Sequence, residues 1–484
     1  MILESLPSTS LPKRLVITIA LFAATGLGGC AMLPETGRLG SMKSSSDYET
    51  TASFSAPAGT WPAERWWQSY GDSQLVTLID EALRDSPDMA AAAARMRRAE
   101  AYVTVSRSAL IPQVSANASV TEQKISYNHL IPRSAASDGW QDYGLGTIDL
   151  KWEIDFWGKN RAGLAAATSQ LEASHAETAL VRLNIAAAIA MNYSELAGLY
   201  ALRDTAVRTV EIRKKTVELF SERFTNGMET RGSVSEAKAR LAGAEGDLLS
   251  IDEQIGLTCN RLAALAGAGP DRARSIHPPT VNLNSSFGLP AELAANLVGR
   301  RPDVTMARLV TEAQMHRIDQ KKAEFYPNVN LVAFIGVQSL GLDMLTRAGS
   351  DIGGIGPAVS LPIFTAGRLQ GELRERSAIY DEMVANYNAT VTHALEDVAN
   401  AALSIRALAG QLEKGDEAVA EAAEAHRVAR NRYEGGLANV IEVLYAEDVL
   451  LNSQRTLAGL KSRALTLDVA LQRALGGGYQ HSKI

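Results

Sequence analysis

The stretch that decides the fold is Ile148-Asp149-Leu150-Lys151-Trp152-Glu153-Ile154-Asp155-Phe156, in which apolar and polar residues alternate without a break. Side chains of a strand point alternately to its two faces, so this pattern predicts a strand with one apolar and one polar face. The residues from Lys159 to Asn226 contain no proline and are rich in Ala, Leu, Glu and Arg, the strong helix formers. They predict a helix about 100 Å long at 1.5 Å per residue. The chain is therefore expected to be an α+β protein.

The same landmarks occur twice along the chain, in the same order. The four pairs are Ser86-Pro87-Asp88 with Arg301-Pro302-Asp303, Ile111-Pro112 with Tyr326-Pro327, Phe156-Trp157-Gly158-Lys159 with Phe364-Thr365-Ala366-Gly367-Arg368, and Arg223-Phe224-Thr225-Asn226-Gly227 with Arg432-Tyr433-Glu434-Gly435-Gly436. Self-similarity at a near-constant distance indicates structural repeats. We therefore predict two similar repeats, 72–269 and 290–475, joined by a proline-rich linker, 270–289, and followed by a tail, 476–484.

Each repeat is expected to contain a helix, two strands and a long helical hairpin. The predicted helices are Asp72–Leu110, Lys159–Asn226 and Ser233–Ala266 in the first repeat and Pro290–Phe325, Arg368–Tyr433 and Asn439–Leu475 in the second. The predicted strands are Val114–Thr121, Ile148–Phe156, Val329–Val337 and Ala358–Phe364. The last two are less regular, because Val332 and Phe334 fall on the polar side and Pro357 and Pro362 oppose a strand.

The N-terminus has the pattern of an export signal. Lys13 and Arg14 precede an apolar run, Leu15 to Ala24, which is too short to span a bilayer. The run leads to Leu27-Gly28-Gly29-Cys30, which resembles a lipobox, the signal at which a cysteine is acylated and becomes the first mature residue. An ordinary signal peptide with a chance cysteine is the alternative.

The lipobox resemblance implies a membrane address. We expect residues 1–29 to be a lipoprotein signal peptide, Cys30 to carry a covalent lipid, and 30–71 to form an extended, lipid-anchored segment. In lipoproteins of this kind Ala31, rather than Asp, after the cysteine implies the outer membrane. Several acyl chains on one residue would give stable anchoring.

Composition excludes some partners and bonds. The formal net charge is −6, whereas phosphate binding needs clustered Lys and Arg, so nucleic acid is not an expected partner. The chain has two cysteines; if Cys30 is lipidated, Cys259 has no disulfide partner and is expected to be a small buried residue. Outside the signal no run of 18 uncharged apolar residues occurs, so a membrane crossing would have to be a β-barrel.

Four alternating strands cannot close a barrel alone. Sheet edges in lipid would leave backbone groups unpaired, so several chains would have to share one barrel. Two chains would give eight strands with a filled interior, whereas three would give twelve and leave a lumen. Ile148, Leu150, Trp152 and Ile154 would then face lipid. A soluble β-sandwich is the alternative, because alternation occurs in both structures.

Three motifs carry a resemblance to a known family. They are Arg301-Pro302-Asp303, the Arg432 to Gly436 turn before Val440-Ile441-Glu442-Val443-Leu444, and Ala474-Leu475-Gly476-Gly477-Gly478. With its doubled plan the chain resembles the outer-membrane efflux factor family, of which TolC is the best-known member, and the lipobox brings it closer to the lipoprotein branch typified by OprM and NodT. The resemblance implies a homotrimer in which a 12-stranded β-barrel continues into a periplasmic tunnel of antiparallel coiled-coil helices.

The resemblance also implies a function. Such proteins are the exit ducts of tripartite efflux pumps, which a periplasmic adaptor protein and an inner-membrane transporter, usually of the resistance-nodulation-division type, complete. Drugs or other small toxic compounds are the expected cargo. A duct for type I protein secretion or for metal efflux is the alternative function.

Two sets of residues are candidates for the gate and for the adaptor-docking surface of such a duct. By the resemblance, the helix after the second turn constricts the pore, which indicates Ile441, Glu442, Tyr445 and Asp448 as the gate. Tyr445 stands where the family usually has Asp, and a solvated helix face is the alternative. The turns at Asn226, Gly227, Gly435 and Gly436 are expected to dock the adaptor.

Two other classes of protein fit the sequence less well. The chain has no His-Glu-x-x-His, Gly-x-Ser-x-Gly or phosphate-loop motif, and its seven histidines are scattered, so we expect no enzyme, metal site or cofactor beyond the lipid on Cys30. A structural coiled-coil lipoprotein would account for the long helices but not for the paired strands.

Overall fold

The computed structural model describes residues 37–124, 126, 139–281, 288–290 and 293–481. Cys30 and residues 1–29, on which the lipidation and signal-peptide predictions rest, lie outside the described residues. The helices are α1 (Ser73–Asp85), α2 (Pro87–Ser108), α3 (Lys159–Thr225), α4 (Arg231–Leu265), α5 (Leu293–Arg300), α6 (Pro302–Ala323), α7 (Arg368–Glu434) and α8 (Val440–Ala474). The main strands are β1 (Gln113–Gln123), β2 (Gln141–Ile154), β3 (Asn328–Leu340) and β4 (Asp351–Ser360). The predicted α+β class is confirmed.

The chain divides into two compact units. The strand unit contains the described residues up to Ser41 together with Arg98–Leu171 and Leu309–Ala385, and it holds all four main strands. The hairpin unit contains the described residues of Met42–Arg97, Glu172–Arg308 and Asn386–Ile484. Each unit draws on both halves of the sequence.

Each predicted first helix is in fact two helices. The predicted helix Asp72–Leu110 is divided into α1 and α2 at Pro87, and Pro290–Phe325 is divided into α5 and α6 at Pro302. Proline has no N–H to donate and is well tolerated in the first helical turn, so it begins α2 and α6 rather than continuing α1 and α5. The prediction was wrong here because it treated proline only as the end of a helix.

The long helices agree with the predicted hairpins. The bounds of α3, α4, α7 and α8 differ from the predicted ones by no more than two residues. By length and composition α3 could cross a membrane, but 56% of its most apolar 18-residue window is buried inside the protein, which is typical of a core helix. Cys259 on α4 is buried, as predicted, and burial raises the pKa of its thiol.

The four main strands form one antiparallel sheet in the order β1-β2-β3-β4. Three predicted strands are confirmed and are longer than expected. The fourth was misplaced: it runs over Asp351–Ser360 rather than Ala358–Phe364 and ends before Pro362. Pro357 lies inside β4, which is an edge strand of this sheet, where a missing N–H can be tolerated.

The sheet register places apolar residues of all four strands on one face. Ile148 lies opposite Ala116 of β1 and Ile335 of β3, and Ile335 lies opposite Gly353 of β4. The face contains Val114, Ala116, Ala118, Val120, Ile148, Leu150, Trp152, Ile154, Val329, Leu331, Ala333, Ile335, Val337, Gly353, Ile355, Pro357 and Val359. The apolar face that singled out β2 thus continues onto the other three strands.

Phe334, which breaks the alternation, has a structural reason for its place on the polar face. A side chain added at Gly354 of β4 would meet the Phe334 ring, with Cε1 at 2.9 Å from the added Cβ. The neighbouring strand therefore provides a glycine against which the aromatic ring packs. This pairing lies within β3 and β4, and no pattern inside β3 alone could have revealed it.

A buried carboxylate joins three segments of the hairpin unit. Asp72 is 3% exposed and caps α1 by accepting hydrogen bonds from the backbone N–H groups of Gln74 and Leu75. It also accepts from the Tyr193 hydroxyl of α3 at 2.8 Å and from the Thr280 backbone N–H at 2.8 Å. Burial acts to raise the pKa of Asp72, but these hydrogen bonds outweigh it and hold the pKa below its usual value.

The Asp72 cluster predicts a pH-dependent stability. A carboxyl whose pKa is lower in the folded protein stabilises it above the unfolded-state pKa, and the contribution is lost as the pH falls through the folded value. Asp72→Asn should cost about 2 kcal/mol at pH 7, the scale of hydrogen bonds to a charged group. Thermal unfolding in detergent should show this deficit shrinking as the pH is lowered below about 4.

Asp80→Asn is the matched control, because Asp80 is a half-exposed α1 carboxylate paired with Arg65 at 2.6 Å. It should change the unfolding temperature little, as exposed ion pairs do. If Asp72→Asn is as stable as the unsubstituted protein at pH 7, the role given to this carboxylate is contradicted. A loss of stability that does not shrink in acid would contradict it as well.

Candidate functional site

The two hairpin turns are built in the same way. Gly227 and Gly436 have φ of 75° and 74°, a conformation that glycine adopts without steric cost. The N–H of the next residue bonds back to an arginine carbonyl, from Met228 to Arg223 at 2.8 Å and from Leu437 to Arg432 at 2.7 Å. This is a Schellman ending, which satisfies the last carbonyls of α3 and α7. The repeated sequence motif therefore corresponds to a repeated turn.

The predicted docking residues are all at the surface. Asn226, Gly227, Gly435 and Gly436 are exposed, and a Cβ added at Gly227 or Gly436 would meet nothing within 4 Å. The structure adds two residues that the sequence prediction missed: Met228 and Leu437, which follow the two glycines, are 57% and 75% exposed. The position after each landmark glycine was the available signal for them.

The predicted gate residues lie on the first three turns of α8, and they divide into two groups. Ile441 and Tyr445, one turn apart, are 67% and 71% exposed. Glu442 is partly exposed; its backbone N–H is capped by Asn439 and its carboxylate accepts a hydrogen bond from Arg432 at 3.2 Å. These three residues sit together at the start of the helix that follows the second turn.

Asp448 belongs to a charged cluster between α8 and the first hairpin. It pairs with Arg213 of α3 at 3.0 Å and with Arg240 of α4. Next to it Glu447 is 1% exposed and accepts a hydrogen bond from Thr216 at 2.9 Å. Burial raises the pKa of Glu447. The sequence did not reveal this cluster, because Glu447 and Asp448 are more than 200 residues away from their partners in α3 and α4.

A second link joins the two hairpins beside the turns. Tyr433 is 2% exposed; its ring packs edge-on against Phe220 and beneath the Arg223 guanidinium, and its hydroxyl donates to Glu229 at 2.8 Å. Burial and the neighbouring Glu229 carboxylate raise the pKa of Tyr433 to about 12, so the phenol stays protonated. The equivalent residue of the first turn, Phe224, is 45% exposed. The repeats thus share a turn but differ in what the aromatic residue contacts.

The residues predicted to face lipid lie in the strand unit. Ile148, Leu150, Trp152 and Ile154 share the apolar face of the sheet; Ile148 is 55% exposed and the other three are half-buried. The Trp152 indole N–H donates to the Leu110 carbonyl at 3.1 Å. Within the described part of the chain, no three His, Cys, Asp or Glu side chains form a group that could hold a metal ion.

The Tyr433 link predicts how firmly the turns are held. Tyr433→Phe removes one buried hydrogen bond, worth about 1 kcal/mol, so the amides of Met228 and Leu437 should exchange with deuterium about fivefold faster. Glu229→Gln should have a similar effect, and the double variant should exceed neither by much, because both remove the same contact.

Tyr445→Phe is the control, since Tyr445 is an exposed phenol on the same tip. It should leave the exchange rates unchanged. Additive effects of Tyr433→Phe and Glu229→Gln would show that the two side chains act separately, contrary to the contact described.

Comparison with known proteins places these features in a family. The sequence model of the family described as "Outer membrane efflux protein" matches residues 78–268 and 293–477. A solved structure of the outer membrane protein VceC from Vibrio cholerae is 46% identical, with a TM-score of 0.83 over 87% of this chain and 100% of that chain.

Two relatives by sequence are similar. The multidrug resistance outer membrane protein MdtQ of Escherichia coli is 30% identical over 94% of this chain and 96% of its own length. The fusaric acid resistance protein FusA of Burkholderia cepacia is 37% identical over 66% of this chain, and the match covers 60% of that relative. The family comprises efflux channels rather than enzymes. The chain therefore belongs to the outer membrane efflux protein family and is an efflux channel of the outer membrane.

Proposed function

We propose that three copies of this chain form the exit duct of a tripartite efflux pump. The observation that carries the proposal is the four-stranded sheet, whose one face is apolar on every strand and whose edges are β1 and β4. Such a sheet cannot stand in lipid with its edges unpaired. Three copies supply the twelve strands of a barrel with a lumen, and the apolar face with Ile148, Leu150, Trp152 and Ile154 then contacts lipid.

The partners follow from the proposed duct. A channel that serves only the outer membrane needs a periplasmic adaptor protein and an inner-membrane transporter, for which the resistance-nodulation-division type is proposed. The adaptor would dock on Asn226, Gly227, Gly435 and Gly436. Their exposure, the open space at the two left-handed glycines and the neighbouring apolar Met228 and Leu437 support this role.

Drugs or other small toxic compounds are the proposed cargo. The relatives' names attach multidrug resistance to MdtQ and fusaric acid resistance to FusA. Type I protein secretion and metal efflux are the alternatives. Because a wide duct contacts its cargo weakly, the choice among them is expected to lie in the transporter.

The constriction of the duct is proposed to be a ring of Ile441, Glu442 and Tyr445 from three chains. Ile441 and Tyr445 are largely exposed in a single chain, and three Glu442 carboxylates would attract cations. Asp448 would act one turn further on by holding α8 to α3 and α4 through Arg213 and Arg240.

The proposed ring predicts a change in channel properties. In planar bilayers Tyr445→Ala should raise single-channel conductance severalfold by removing a bulky side chain, and Glu442→Ala should lower the preference for cations. Glu434→Ala is the control, because Glu434 is a carboxylate near the turn that pairs with Arg430 on its own helix. If neither gate variant differs from the control, the constriction is elsewhere.

The lipid on Cys30 is proposed to be an auxiliary tether. The barrel would span the bilayer without it, so acylation would serve sorting and hold single chains at the membrane before they assemble. The first described residues contact the protein itself: the Gly40 N–H donates to Asp381 at 2.7 Å and the Lys43 N–H donates to Asn388 at 2.9 Å, both on α7.

Drug efflux in cells that lack their own outer-membrane duct tests the proposal. Together with a cognate adaptor and transporter, this protein should lower drug accumulation, and Gly436→Trp should abolish that effect by blocking the docking turn. Gly436→Asn, which tolerates a left-handed φ, should retain most of it. If Gly436→Trp retains as much efflux as Gly436→Asn, the turn at Gly436 does not dock the adaptor.

A Cys30→Ala protein exported with a non-lipoprotein signal belongs in the same assay. It should still assemble and retain part of the efflux, because the barrel carries the membrane insertion. Complete loss of insertion would show that the lipid is indispensable.

A further inference from the structure

The loop between β3 and β4, residues 341–350, folds back over the sheet. A Cβ added at Gly144 of β2 would lie 3.0 Å from Leu342 Cδ2 and 3.2 Å from Leu345 Cδ1, so the two leucine side chains already occupy the space beside this glycine. Gly144 itself is buried. A glycine inside a strand often marks the place where another part of the chain approaches closely, and here that part is the loop.

The face that the loop covers is the apolar one. Gly144 is four residues before Ile148 on the same strand, and side chains alternate between the two faces, so both lie on the same side of the sheet. At the neighbouring Gly146, which lies opposite Val337, an added Cβ would be 3.7 Å from Val337 Cγ2. Side chains of β3 and of the loop thus supply the apolar surface that the two glycines of β2 lack.

The loop lies at the outer end of the proposed lipid-facing band. Between Ile154 and Gly144 the strand advances by ten residues, which is about 34 Å at 3.4 Å per residue. A strand tilted by about 40° in a barrel wall then covers about 26 Å of height, close to the apolar band of about 25 Å in such barrels. Because α3 and α7 follow the opposite end of the sheet, the loop would be at the outer leaflet.

The backbone of the loop is paired within the protein. Four of its N–H groups donate to carbonyls three residues earlier, namely those of Met344, Leu345, Arg347 and Ser350. The start of the loop is held by Asp142 of β2, whose carbonyl accepts from the Gly341 N–H at 2.7 Å and whose carboxylate accepts from the Leu342 N–H at 3.1 Å. A backbone paired in this way can lie at the edge of the hydrocarbon region, where unpaired polar groups are costly.

The loop leaves apolar side chains without protein cover. Leu342 and Met344 are 41% and 38% exposed. Leu342 packs on β2, a central strand, and is therefore away from the edge strands at which copies of the chain would join. Asp343 and Arg347 of the same loop are largely exposed and lie 3.7 Å apart. The loop thus carries charged groups beside its apolar ones.

We propose that the β3–β4 loop is a membrane anchor whose Leu342 and Met344 side chains enter the upper acyl region of the outer leaflet. Its backbone, with Asp343 and Arg347, stays at headgroup level. Interfacial segments of this kind bury their apolar side about 5–10 Å into the boundary between headgroups and acyl chains. The inference rests on the proposed barrel and adds that a loop, rather than the strand it covers, completes the lipid-facing surface at the outer rim.

Fluorescence quenching in lipid vesicles tests the anchor in the full chain. The background is Cys30→Ala with Cys259→Ala, exported with a non-lipoprotein signal, and a bimane dye is attached to Met344→Cys. Phosphatidylcholine brominated near the top of its acyl chains should lower the fluorescence about twofold, because the side chain lies about 5–10 Å deep, whereas iodide in the water should quench little. A dye on Ile148→Cys, in the middle of the band, is the control for lipid contact by the barrel itself.

Gly144→Val is the matched variant, because its side chain needs the space that Leu342 and Leu345 occupy. It should displace the loop, so that the dye at position 344 loses quenching by lipid and gains quenching by iodide, while the dye at position 148 is unchanged.

Two results at position 344 would overturn the anchor and leave the barrel intact, provided that lipid still quenches the dye at position 148. Quenching by iodide alone would assign the loop to water, and quenching by neither agent would assign it to cover by another protein chain. A dye at position 148 that brominated lipid does not quench would overturn the proposed barrel and the anchor together.

Discussion

The constraint on which the rest of the structure depends is that a sheet edge in a bilayer cannot leave its backbone N–H and C=O groups unpaired. Water pairs such groups at the surface of a soluble protein, but no water is available in the hydrocarbon core. The chain presents a sheet of four strands with an apolar face, and in the sheet β1 and β4 are the edges. In the proposed duct the chain satisfies this constraint by sharing its sheet with other copies.

The internal repeat accounts for the similarity of the two helical hairpins. Both hairpin turns end in a left-handed glycine with the same return hydrogen bond, and both halves place proline before the strand that follows. The repeats have diverged where the hairpins touch each other. Tyr433 is buried against Phe220 and bonded to Glu229, whereas Phe224 of the first turn is exposed. The Asp448 cluster is a second contact of this kind. These unequal contacts hold the second hairpin to the first.

The sequence was most informative where a single periodic signal governs a long element. The alternation from Ile148 to Phe156 predicted β2, and the long stretches without proline predicted α3 and α7 to within one residue. Predictions were wrong where proline had two possible meanings: it starts α2 at Pro87, and it ends the region of β4 before Pro362.

Contacts between residues distant in the sequence could not be predicted from local sequence patterns. No sequence pattern near Glu447 predicts its contacts with Thr216 and Arg213. Likewise, no pattern near Asp72 predicts its hydrogen bond with Tyr193. Their partners are fixed only when the two halves of the chain pack together. The repeat was the one long-range signal available, and it specified the turns at Gly227 and Gly436 but not the contacts in which the halves differ.

The number of chains in the assembled channel is the most direct test of the account. Native mass spectrometry of the protein released from detergent micelles should give the mass of three chains and no abundant smaller species. A stable particle of one or two chains that still conducts ions would contradict the claim that the four strands of each chain complete a shared barrel.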